Sequence, residues 1–106
     1  AETRHLVDAD VLKALGPDGY LVNIARGDVV DEAALIAALG AGEIAGAGLD
    51  VYEYEPEVPE ALIARPDVIL LPHLGTAALE VREAMGMVAV ANLVAFAEGR
   101  ELLNPV

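Results

Sequence analysis

The chain has 106 residues, no cysteine, and a formal charge of −12 from 18 acids and 6 bases. That is the size of one domain or part of one. The composition excludes a disulfide framework, a thiolate nucleophile and a Cys-type zinc site, and the acidity argues against nucleic acid or an anionic membrane as partner, because phosphate binding needs clustered Lys and Arg.

In chain order, Asp8 is suited to cap a short helix over Ala9 to Leu15, which Gly16-Pro17 stops. Tyr20 to Ile24 is apolar apart from Asn23 and reads as a buried strand. Asp31 opens a second helix, Glu32 to Leu39, with Ala33, Leu35, Ile36 and Leu39 able to share a face before Gly40 and Gly42. Ile44 to Val51 reads as a glycine-rich second strand. Gly46 and Gly48 there predict close backbone approach by a helix or ligand. Glu53 to Pro59 is an acidic, proline-containing loop, Glu60 to Ala64 a helical turn, and Val68 to Leu71 a third strand between prolines. Ala77 to about Glu98 reads as one long helix closed by Gly99. Apolar residues fall on several of its faces, so it is expected to be buried or to bridge two surfaces.

Strands alternating with crossover helices predict an α/β fold with a parallel sheet. Three strands make half of a doubly wound nucleotide-binding fold. The glycine-rich G-x-G-x-x-G turn that opens a complete one does not occur. Hydrophobic residues reach 56%, above the ~45–50% of ordinary chains. A domain this short should need fewer, so some apolar surface is expected to meet another body. The run nearest to a membrane span, Met85 to Ala97, is broken by Gly86 and Asn92 and falls short of ~20 residues. Ala1 to His5 carry no secretory pattern, and a cytoplasmic location is the default. The absence of an initiator Met fits a piece of a longer polypeptide.

Three ionisable residues close apolar runs: Arg26 in Asn23-Ile24-Ala25-Arg26-Gly27, Glu55 in Leu49-Asp50-Val51-Tyr52-Glu53-Tyr54-Glu55-Pro56, and His73 in Leu71-Pro72-His73-Leu74-Gly75. One cation, one carboxylate and one imidazole at strand ends can orient an anionic substrate and move a proton. Open parallel sheets bind ligands at that rim. Arg26 and His73 also have plainer readings, as a surface arginine and a hydrogen-bonded structural histidine, and Glu57 reads as a solvated loop acid. His5 reads as a surface histidine, and no spacing resembles a helix-borne metal motif. A serine triad is ruled out, since the chain has neither Ser nor Cys. Tyr52 and Tyr54 read as alternation in an exposed strand end or as a stacking pair.

These motifs resemble the D-isomer-specific 2-hydroxyacid dehydrogenase family, in its glyoxylate/hydroxypyruvate reductase branch, over essentially the whole chain. Glu2-Thr3-Arg4-His5-Leu6 is similar to the segment after the family's adenine-side loop. The resemblance implies the second half of a Rossmann-like dinucleotide-binding domain over residues 1–76. Residues 77–106 would be a long helix and tail returning toward a substrate domain that this sequence lacks. It implies NAD or NADP as cofactor, a small 2-keto acid as substrate, and a homo-oligomer, a dimer, with the long helix bordering the contact. Arg26 matches the arginine that holds the substrate carboxylate, and His73 matches the acid/base. Glu55 matches the histidine's carboxylate partner. It alone precedes a proline five positions after the aspartate, which Glu53 and Glu57 do not. Asp50 matches the aspartate that contacts the nicotinamide carboxamide, with a turn-capping role as the alternative. Ile24, Ala25, Leu74, Gly75 and Thr76 match cofactor-lining positions.

Overall fold

The structure is a computed structural model and describes residues 2–105. The described chain divides at Gly75/Thr76 into two compact units. The first contains helix α1 (Ala9–Leu15), strand β1 (Tyr20–Asn23), a 3-10 turn (Gly27–Val29), α2 (Glu32–Ala41), β2 (Gly46–Leu49), α3 (Glu60–Ile63) and β3 (Val68–Leu70). The expected α/β fold is present: β1, β2 and β3 form a parallel sheet in chain order.

Local chemistry sets the helix starts. The Asp8 carboxylate accepts from the Asp10 and Val11 N–H groups, and the Asp31 carboxylate from the Ala34 N–H. Each satisfies donors that a helix start leaves unpaired. On α2 the buried residues are Glu32, Leu35, Ala38 and Leu39. Ala33, expected on that face, points to solvent.

The sheet has two unlike faces, because side chains alternate along a strand. Leu21, Ala47 and Val68 stand in register on one face, as do Asn23, Leu49 and Leu70. Ala47 and Leu49 join Leu12, Leu35, Leu39 and Leu62 in the core, and Leu21, Val68 and Leu70 pack against it. Leu12, Leu35 and Leu62 are fully buried, each contributing about 1.5–3 kcal/mol. The other face carries Tyr20, Val22 and Ile69 opposite Gly46 and Gly48. Tyr20, Val22 and Ile69 are about 70% exposed, although parallel sheets are ordinarily covered on both sides.

Gly46 is crowded by its own neighbours. A Cβ there would lie 2.5 Å from the Asp67 carbonyl oxygen and 3.2 Å from the Tyr20 ring. Both outer strands end a residue early. β1 stops at Asn23 because its side chain turns the chain, accepting from Ala25 N–H and donating to the Arg26 carbonyl. An element not expected from sequence is a parallel bridge, Val7 to Val30, which aligns residues 5–7 beside 28–31.

The second unit is helix α4 (Leu79–Ala97) and its tail. The Asn92 carboxamide accepts from Leu103 and Asn104 N–H, folding the tail against the helix. Ala95 is its one buried residue among those described. Among the described residues no helix is long and apolar enough to cross a membrane.

Candidate active site

Parallel strands deliver their C-terminal ends to one rim, and the three ionisable residues follow those ends. Arg26 comes three residues after β1, Glu55 six after β2 and His73 three after β3. All three line a single hollow of about 360 Å³, together with Arg4, Glu53 and Tyr54. A second hollow of about 330 Å³ shares Tyr52, Glu55 and His73 and is otherwise apolar, with Val58, Leu70 and Pro72 in its wall.

Glu55 and His73 are directly paired. His73 Nδ1 lies 2.9 Å from Glu55 Oε2, and Glu55 Oε1 accepts from the Tyr52 N–H at 3.0 Å. The imidazole contact, and then the Tyr52 N–H, hold the Glu55 carboxyl below the usual glutamate range. The carboxylate is therefore ionised at neutral pH and accepts the Nδ1 proton, which leaves Nε2 as the ring atom free to exchange a proton with a ligand. His73 sits at φ 55°, the left-handed region that few non-glycine residues occupy.

Arg26 is exposed, and its Nη1 donates to the Ala25 carbonyl at 2.7 Å. Its backbone is shaped by the buried Asn23 carboxamide. Gly27 fixes its position against the acid loop: a Cβ on Gly27 would lie 1.9 Å from the Tyr52 carbonyl carbon and oxygen. Only hydrogen fits there, so the arginine turn and the loop after β2 touch backbone to backbone.

Asp50 is buried, and its two carboxylate oxygens accept from Leu74 N–H at 2.6 Å and Gly75 N–H at 2.8 Å. It thereby pins the loop that carries His73. A carboxylate has about four lone-pair sites, so two remain for a further donor. Ile24, Ala25 and Leu74 are exposed at the strand ends, and Thr76 opens the second unit, also exposed.

Two sequence readings are corrected. His5 is half-buried rather than a free surface residue, with Nε2 2.9 Å from Glu53 Oε1 and Nδ1 3.7 Å from Asp31. Tyr52 is buried, and its hydroxyl donates to the Leu71 carbonyl at 2.8 Å, tying the chain after β2 to the end of β3. Tyr54 is exposed. Asn23 and Glu53 hold backbone and side chains beside these residues and were not singled out by their sequence. The signal available for Asn23 was a lone amide inside an apolar run.

A parallel sheet with helices, carrying an imidazole–carboxylate pair and a guanidinium at its C-terminal rim, is a dinucleotide-domain type of architecture. Residues 1–75 match the D-isomer specific 2-hydroxyacid dehydrogenase NAD binding domain, and the chain belongs to that family. It is 51% identical over 105 residues to a glyoxylate/hydroxypyruvate reductase A of Arabidopsis thaliana, and 50% identical over 105 residues to a hydroxyphenylpyruvate reductase of Plectranthus scutellarioides. Each alignment covers 99% of this chain and 34% of the relative. Among solved structures it resembles the NADPH-dependent glyoxylate/hydroxypyruvate reductase SmGhrB of Sinorhizobium meliloti in complex with NADP and malonate. The identity is 56% and the TM-score 0.96, over 100% of this chain and 33% of that one. The chain thus spans about a third of the length of the proteins it matches.

Proposed function

We propose that this chain is the catalytic third of an NAD(P)-linked oxidoreductase that interconverts a small 2-keto acid, of the glyoxylate or hydroxypyruvate kind, and its 2-hydroxy acid. Residues 1–76 would complete a dinucleotide-binding domain, and 77–106 would return toward a substrate domain. The observation that carries the reading is the contact between His73 Nδ1 and Glu55 at 2.9 Å, in a hollow that Arg26 also lines.

The residues suit the nicotinamide end of such a cofactor. Ile24 and Leu74 offer exposed apolar side chains at the rim, and Asp50 retains acceptor sites for a carboxamide. No glycine-rich phosphate loop occurs in the sequence. The cofactor, when bound, supplies the hydride. Arg26 holds the substrate carboxylate with its planar guanidinium and leans toward the keto oxygen. His73 gives its Nε2 proton to that oxygen as the carbonyl carbon gains hydride, and takes it back in the oxidation direction. Glu55 keeps the ring oriented through Nδ1 while this happens. NAD and NADP are both compatible, since the ribose-reading residues of such domains precede the segment seen here.

A second reading has one observation in its favour. The uncovered Tyr20, Val22 and Ile69 face suits a half-domain that folds or self-associates without turnover. Exchanging the corresponding third of the Sinorhizobium meliloti reductase for this chain separates the two. The chimera is expected to oxidise NADPH with glyoxylate, and His73→Asn to lower kcat by about 10²–10⁴. A folded, cofactor-binding chimera that is inactive favours the half-domain. One that is active but indifferent to His73→Asn refutes the acid/base assignment.

A further inference from the structure

Outside the Arg26, Glu55 and His73 group, one cluster of charged side chains is built with unusual economy. Glu53 is two residues from Glu55 and its side chain is 5% exposed. Its Oε1 takes Arg4 Nη2 at 2.6 Å and His5 Nε2 at 2.9 Å. Its own N–H donates to Glu32 Oε2 at 3.3 Å. His5 reaches it from a left-handed backbone, φ 53°. That conformation is held by His5 N–H donating to the Asp28 carbonyl at 2.8 Å. Gly27 packs against the Tyr52–Glu53 peptide. Glu53 is thus gripped through side chain and backbone by three separate stretches of chain: residues 4–5, the Gly27 turn and α2.

We propose that Glu53, clamped by Arg4 and His5, is a positioning residue that holds the Tyr52–Glu55 loop so that Glu55 meets His73. The clamp acts through geometry. Tyr52 N–H donates to Glu55 Oε1 and lies one peptide before the Tyr52–Glu53 unit that Glu53 anchors, so release of Glu53 would let the whole Tyr52–Glu55 turn shift and carry the Glu55 carboxylate away from the imidazole. The site reading above supplies the significance of Glu55, and the proposal rests on it only for that.

The test reads the loop itself, with no turnover involved, in the 106-residue chain by nuclear magnetic resonance. The Glu55 carboxyl carbon is titrated in the wild type and in Glu53→Gln. Groups facing Glu55 are His73, the Tyr52 N–H and, farther off, Asp50. Deleting a neighbouring anion without moving anything lowers a carboxyl midpoint, whereas loss of the His73 and Tyr52 contacts raises it. The clamp predicts a rise in Glu53→Gln, and Tyr52 amide exchange at least about tenfold faster. His5→Asn leaves Glu53 in the chain and tolerates positive φ; it should speed the same amide. A Glu55 midpoint that stays or falls in a folded Glu53→Gln chain overturns the proposal, as does an unchanged Tyr52 amide in His5→Asn. Loss of the dispersed spectrum in either variant would make the cluster a folding determinant and overturn it too. An inactive chimera alongside a raised Glu55 midpoint would sink the dehydrogenase reading and leave the clamp standing.

Discussion

At the scale of single residues, the hydrogen of Gly27 matters as much as the guanidinium beside it. The Tyr52 carbonyl occupies the space where a Cβ would stand, and backbone there cannot swing aside as the tip of a side chain can. Gly27→Ala is expected to cost about 1–3 kcal/mol, the range of overpacking in a tight interior. Denaturant unfolding of the two chains checks this, and equal stabilities would mean that the arginine turn and acid loop do not touch. Arg26, Glu55 and His73 stood out in the sequence because an ionisable residue closing an apolar run is a poor way to fill a core. Glu53 did not, since nothing local separates it from Glu57; its burial comes from Arg4 and His5, almost fifty residues away. Tyr52 was obscured for the same reason, its partner being the Leu71 carbonyl.

At the scale of elements, the helix starts and the three strands were legible because caps and apolar runs are local. Asp8 and Asp31 act as N-caps, and three strands form the parallel sheet expected. The Val7–Val30 bridge was invisible, because two residues have no periodicity to read. Helix α2 carries an instructive exception in Glu32, which is buried and raised above the usual glutamate range by that burial. A carboxyl whose folded value is raised contributes stability below its unfolded value and loses it as pH rises through the folded one. Glu32→Gln is therefore expected to be the more stable chain at pH 7. The gap should close on acidification through the glutamate range, since the protonated acid and the amide are alike. Urea midpoints at the two pH values measure this. A variant weaker than wild type at pH 7 would show that the Glu53 N–H needs a full negative charge opposite it.

At the scale of the molecule, the excess of apolar residues has an identifiable outlet. Tyr20, Val22 and Ile69 form one sheet face without cover in their own unit. A bare apolar face of this kind drives association. The isolated chain is expected to show a molar mass that rises with concentration, and Val22→Lys to suppress the rise. A monodisperse monomer across the accessible range would contradict it. The sequence exposed the surplus but not its location, because strand alternation alone does not say which face a helix will cover.

The central claim is that Glu55 and His73 act as one unit on the reacting proton. In the chimera with the Sinorhizobium meliloti reductase, a double-mutant cycle on kcat/KM with Glu55→Gln and His73→Asn tests it most directly. Members of a unit are strongly non-additive, so the double variant should be no slower than His73→Asn alone. Losses that simply multiply would mean that the two side chains work independently, and the paired acid/base site would be wrong.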